Sequence, residues 1–157
     1  MLTGAIRPTR GFHVVTGKHS MTQMPEIRQQ LGICQQHNDC LFPQLTCREH
    51  LEFFHRLRGT YRKMTQQEAD ERVKQAMRDV ALEDKADTQV MHLSGGMKRK
   101  LCIAIAFAGD SNVIILDEPT SGMVSCFGFT FPFSPYLRPI PIAHHCFSFV
   151  VVVGSLF

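Results

Sequence analysis

The chain has 157 residues, 44% of them hydrophobic, and 17 Lys and Arg against 14 Asp and Glu give a formal charge of +3. That length suits one domain with a sizeable core, and so weak a charge, with no dense basic stretch interleaved with aromatics, excludes a nucleic-acid partner. Six cysteines form no C-x-x-C pair and read as reduced, cytosolic thiols rather than a disulfide framework. In chain order, the first residues carry Arg7 and Arg10 but no apolar stretch, so no signal peptide is expected there. A short strand is predicted from Phe12 to Thr16, with Gly17 as the turn after it. Cys34 falls in an apolar strand segment, and Cys40, Cys47, His37 and His50 follow at spacings that fit no standard zinc pattern. Thr46-Cys47-Arg48-Glu49 is a capping box opening a helix with Leu51, Phe54 and Leu57 on its apolar side, closed by Gly59. Thr65-Gln66-Gln67-Glu68 opens a second helix, with Ala69, Val73, Ala76, Met77 and Val80 at helical period.

The most informative residues come next. Leu93-Ser94-Gly95-Gly96-Met97-Lys98-Arg99-Lys100-Leu101 has the form of a helix start. Serine is a favoured cap, and two glycines let backbone N–H groups approach an anion without Cβ obstruction. The helix dipole adds partial positive charge where those groups point, which suits a terminal phosphate. Met97, Leu101 and Ile105, with Ala104 and Ala108, make one apolar stripe, so Lys98-Arg99-Lys100 is expected on the solvent side. Gly109-Asp110-Ser111-Asn112 breaks the helix. Val113 to Leu116 then reads as a central parallel strand covered on both faces. Asp117 and Glu118 follow at its C-terminal end, where paired carboxylates are costly unless a cation meets them.

In this order and spacing, the two runs resemble the signature motif and Walker B strand of an ABC-type ATPase. From Met1 to Met123 the chain resembles the nucleotide-binding domain of an ABC transporter, most like subfamily A, the lipid-exporting group. Leu31-Gly32-Ile33-Cys34-Gln35-Gln36-His37-Asn38 and Leu41-Phe42 carry the rest of the likeness. The resemblance implies an α/β, P-loop NTPase-type fold, mostly a parallel sheet, with a helical signature subdomain over about 44–108. It implies ATP and Mg²⁺ as cofactors, with Gln36, Ser94, Gly95, Gly96 and Asp117 binding ATP. Gln36 and Asp117 would serve the Mg²⁺, Asp117 through water, and Glu118 would polarise the water that attacks the γ-phosphate. The implied partners are a second cassette, to which Ser94-Gly95-Gly96 is offered in trans, and the transmembrane domains of a transporter. Phe53-Phe54 is either part of that contact or buried within the helical subdomain. Location follows: the cytosolic face of a membrane as part of a transporter, cytosolic for these residues alone.

Several positions depart from the family pattern. Met1-Leu2-Thr3-Gly4 resembles the segment just after the Walker A lysine, so the phosphate loop is expected upstream. Gly17-Lys18 is no substitute, because position 12 is Phe12 and His19 replaces the hydroxyl of G-x-x-x-x-G-K-[ST]. Gln35 stands where the subfamily has proline, and Val124 where the D-loop has aspartate. His144-His145 is not read as the H-loop, since Pro132, Pro135, Pro139 and Pro141 occupy a stretch that is helical in the family. Residues 124–157 hold seven of the twelve Phe and four of the eight Pro, with Arg138 the only Lys, Arg, Asp or Glu. This segment is expected to be foreign to the cassette and to lower solubility through Phe127, Phe129, Phe131, Phe133 and the run Val150 to Val153. Cys146 to Phe157 is shorter than the ~20 residues a membrane-spanning helix needs. Two rival readings remain: a soluble ABC ATPase of translation or repair, and a non-catalytic fragment that pairs with an intact cassette.

Overall fold

The computed structural model describes residues 3–6, 8–59, 64–109 and 111–117, together with the backbone of 149–152. A hairpin comes first, β1 (Val14–Val15) pairing antiparallel with β2 (Lys18–His19). Thr16 at φ 50° and Gly17 at φ 77° make the turn, the left-handed pair that a two-residue hairpin favours. Gly17 is thus a turn residue as expected, although the strand before it is shorter than Phe12 to Thr16. Helix α1 (Met24–Gln29) has Pro25 in its first turn and buries Ile27. It leads directly into β3 (Leu31–Cys34).

β4 (Val113–Leu116) lies parallel to β3, with Leu31 opposite Val113 and Cys34 opposite Leu116. β5 (Phe149–Val152) pairs antiparallel on the other side of β4. The strand order β3-β4-β5 puts β4 in the centre, as its unbroken apolar run predicts. Through this antiparallel neighbour, four residues of the segment 124–157 extend the sheet by backbone pairing.

Between β3 and β4 the chain makes a helical lobe of α2 (Cys47–Leu57), α3 (Gln66–Asp79) and α4 (Gly95–Phe107). Both capping boxes form. Thr46 Oγ1 accepts from the Glu49 amide at 3.2 Å while the Glu49 carboxylate accepts from the Thr46 amide at 2.7 Å. Thr65 and Glu68 repeat this at 3.3 and 2.7 Å. These hydrogen bonds hold the Glu49 and Glu68 carboxyls below the usual range.

On α3 the expected residues Ala69, Val73 and Met77 are buried. The apolar side of α2 differs from its reading. Cys47, His50, Leu51 and His55 face inward, whereas Leu57 is 68% exposed. Two histidines hold positions on the inner face, which hides it from a search for aliphatic residues. His50 is accommodated because Nδ1 donates to the Thr46 carbonyl at 2.8 Å and Nε2 accepts from the Phe42 amide at 2.8 Å. Burial lowers its pKa, so the ring stays neutral.

α4 sits between the lobe and the sheet, packing on β3 and β4 as well as on α2 and α3. Its residues Leu101 to Ala106 are all buried. The helix approaches β3 so closely that a Cβ on Gly32 would lie 2.0 Å from the Ala106 carbonyl oxygen. Only glycine fits there. Arg58 closes the far end of this packing, donating to the Leu31 carbonyl at 3.1 Å and to Ser111 Oγ.

Candidate functional site

Ser94 caps α4 from an extended conformation, φ −67° and ψ 161°, and its Oγ accepts from the Met97 amide at 3.3 Å. Ser94 and Gly95 are exposed, and a Cβ on Gly95 would meet nothing within 4 Å. The start of this helix is thus sterically open, and its dipole places partial positive charge there, which favours an anion. Gly96, one residue further in, is half-buried.

Gln36 and Asp117 emerge at one end of the sheet, each just past the C-terminus of a parallel strand. The ladder continues one step beyond the strands, the Asp117 amide donating to the Cys34 carbonyl at 2.9 Å. Both side chains are exposed. A carboxylate and an amide oxygen are hard donors that suit Mg²⁺. A cleft of about 560 Å³ opens beside this end, lined by Ile33, Ile115, Cys34, Gln35, Arg28 and Asp117 among others. Among the described residues, neither Gln36 nor Ser94-Gly95-Gly96 lines it. The structure thus brings Gln36 and Asp117 to the strand ends, and puts the glycine pair at the start of α4, outside the lining of this cleft. Glu118, Val124, His144 and His145 lie outside the described residues.

Arg99 overturns the reading of Lys98-Arg99-Lys100 as a solvent face, since it is 1% exposed. Its guanidinium donates to the carbonyls of Gln35, Gln36 and Asp117. One side chain on α4 therefore holds the start of the Gln36 loop and the end of β4 together. A buried cation is tolerable only with such hydrogen bonds, and the guanidinium supplies five donors in a planar fork that spans carbonyls set apart. The missed signal was a second stripe, Arg99 with Cys102, Ile103 and Ala106 at i+3, i+4 and i+7.

Beside Arg99 lies a pair of thiols. Cys40 Sγ, on the exposed loop after Gln36, is 3.6 Å from Cys102 Sγ on α4. The single Cys102 thiol proton has two acceptors in reach, Asn38 Oδ1 at 3.3 Å and the Cys40 sulfur. The hydrogen bond with Cys102 draws the Cys40 thiol down to about 7, Arg99 helping less. Burial pushes Cys34 up to about 11 and raises Cys47 as well.

Residues 1–121 match the family model described as ABC transporter. Over 123 residues the chain is 48% identical to rat ATP-binding cassette sub-family A member 2, covering 78% of this chain and 5% of that protein. It is also 48% identical to rat phospholipid-transporting ATPase ABCA3, with 78% and 7% covered. Human retinal-specific phospholipid-transporting ATPase ABCA4 is 45% identical, with 78% and 5% covered. The chain thus spans a small fraction of the length of these relatives. Among solved structures, the dimeric post-hydrolysis state of the ATP-binding cassette MJ0796, bound to ADP and Pi, superposes with a TM-score of 0.67 at 26% identity. It covers 78% of this chain and 55% of that one. With the family model matched over residues 1–121 and that cassette as a structural neighbour, the chain belongs to the ABC transporter family and has the α/β fold of its ATP-binding cassette.

Proposed function

We propose that this chain is part of an ATP-binding cassette that offers Ser94, Gly95 and Gly96 to the nucleotide of a second cassette and contributes Gln36, Asp117 and Glu118 to its own. The observation that carries this reading is the capped helix start at Ser94-Gly95, exposed and with open space where a Gly95 Cβ would stand. Gln36 and Asp117 would hold the Mg²⁺ of ATP, Asp117 through a water, and that ion would offset charge on the phosphate oxygens. Glu118 would orient the attacking water. Phosphate-binding amides and a lysine of the P-loop type belong to no motif within these 157 residues. In the parent protein, by likeness to the phospholipid-transporting relatives, hydrolysis would drive lipid movement through transmembrane domains. Those domains and the second cassette are the proposed partners, and the cytosolic face of a membrane is the proposed location. Among the described residues, no helix is long and apolar enough to cross a membrane.

The test supplies an intact cassette and follows association by light scattering with and without ATP. Association should require nucleotide and disappear in Ser94→Arg, which fills the phosphate position. Ser94→Asp preserves the cap but sets a carboxylate against the phosphate, so it too should fail while its circular dichroism stays native. Association that ignores nucleotide or tolerates both substitutions would overturn the reading.

A further inference from the structure

The geometry points to Cys40 and Cys102 as an oxidisable thiol pair, a modification site at which a hydroperoxide converts two thiols to a disulfide tying the Gln36 loop to the signature helix. Three observations carry it. The two sulfurs are 3.6 Å apart although 62 positions separate them in sequence. They also differ in setting: Cys40 is exposed on a loop, while Cys102 is buried on a helix fixed by packing. A reachable attacking thiol backed by a neighbouring resolving one is an arrangement that favours oxidation to a disulfide. Finally, the sulfurs must close to about 2.05 Å, and Cys40 sits beyond the Gln35 and Gln36 carbonyls that Arg99 holds, on a stretch without helix or strand.

The groups facing Cys40 favour its thiolate. Cys102 hydrogen-bonds to it from α4, Arg99 adds positive charge from the same helix, and Asp39 opposes on the loop itself. Cys34, facing from β3, is protonated because burial raises it to about 11. The chemistry balances in two steps. The Cys40 thiolate attacks one oxygen of hydrogen peroxide, an S–O bond forms, the O–O bond breaks, and hydroxide leaves. The Cys102 sulfur then attacks the Cys40 sulfenic acid, the S–O bond breaks, the S–S bond forms, and water leaves with the thiol proton. Two electrons pass from the thiols to the peroxide. No step involves nucleotide, so failure here leaves the proposed function standing.

The experiment treats the reduced 157-residue chain with hydrogen peroxide and maps its peptides by mass spectrometry without reduction. A Cys40–Cys102 bridge should form first, be reversed by dithiothreitol, and lower amide exchange over residues 36–41. In Cys102→Ser, Cys40 should instead accumulate as a sulfenic acid captured by dimedone; in Cys40→Ser neither product should appear. The initial rate should rise through about pH 7, where Cys40 ionises, and level off above it. Dibromobimane, which spans two nearby thiols without demanding disulfide geometry, should join the same pair in the untreated chain. Preferential oxidation of other cysteines, failure of dibromobimane to join this pair, or a rate that climbs only near pH 9 would overturn the assignment.

Discussion

Replacing Arg99 by leucine keeps the volume of a buried side chain but removes the donors to three carbonyls. Two of those carbonyls belong to Gln35 and Gln36 and the third to Asp117. Losing charged hydrogen bonds at a buried site should lower stability by about 2–4 kcal/mol, read from the shift in the urea midpoint. Arg99→Lys should recover less than half of that, because a compact ammonium lacks the spread of the guanidinium fork that reaches both the Gln35-Gln36 stretch and Asp117. Gly32→Ala tests the other tight contact. Its Cβ would lie 2.0 Å from the Ala106 carbonyl, so β3 and α4 must separate, at a cost of about 1–3 kcal/mol; an unchanged midpoint would refute the contact. Local chemistry was legible at this scale: Ser94, Thr46 and Thr65 cap where their sequence context says they should. Arg99 was not, because its partners are backbone carbonyls more than sixty residues earlier and eighteen later, which no local pattern displays. The Cys40–Cys102 pair escaped for the same reason.

Among the elements, periodicity located all three lobe helices but described their buried faces unevenly. α3 has one buried face and matches its stripe. α4 is buried on every side beyond Leu101, so a single stripe through Met97, Leu101 and Ile105 gave too narrow an account and sent Arg99 to solvent. β5 was hidden for another reason: pairing of Phe149–Val152 depends on an edge offered by β4, a tertiary circumstance. That pairing makes a sharp prediction. The Val113 amide donates to Gln30 and the Asp117 amide to Cys34, so alternate amides of β4 turn toward β3 and those between, Ile114 and Leu116, turn toward β5. A chain ending at Met123 should exchange faster at Ile114 and Leu116 while Val113 and Asp117 keep their protection. Equal rates at all four positions in both chains would show that β5 contributes no pairing in solution.

For the whole molecule, the sheet and the helical lobe are one packed body because α4 belongs to both. Its N-terminus presents Ser94 and Gly95, its first turns carry Arg99 to the strand ends, and its remainder fills the core between them. The α/β class and the lobe were legible because each rests on runs of adjacent residues. The order of strands was legible only in part, since strand pairing is decided by what is left to bury once the helices have docked.

The parallel pairing of β3 with β4 also sets a timetable during synthesis. β3 is complete at Cys34, but its partner does not begin until Val113. At about 5–20 residues per second the intervening lobe takes roughly 4 to 16 s to translate. Throughout that interval β3 offers apolar residues and unpaired backbone to whatever is nearby. α2 and α3, closed by contacts near in sequence, can form while the ribosome is still working, whereas the sheet must wait. A nascent chain arrested before Val113 should therefore hold a folded helical pair and a β3 segment that recruits chaperones, and release of β4 is the event that retires them.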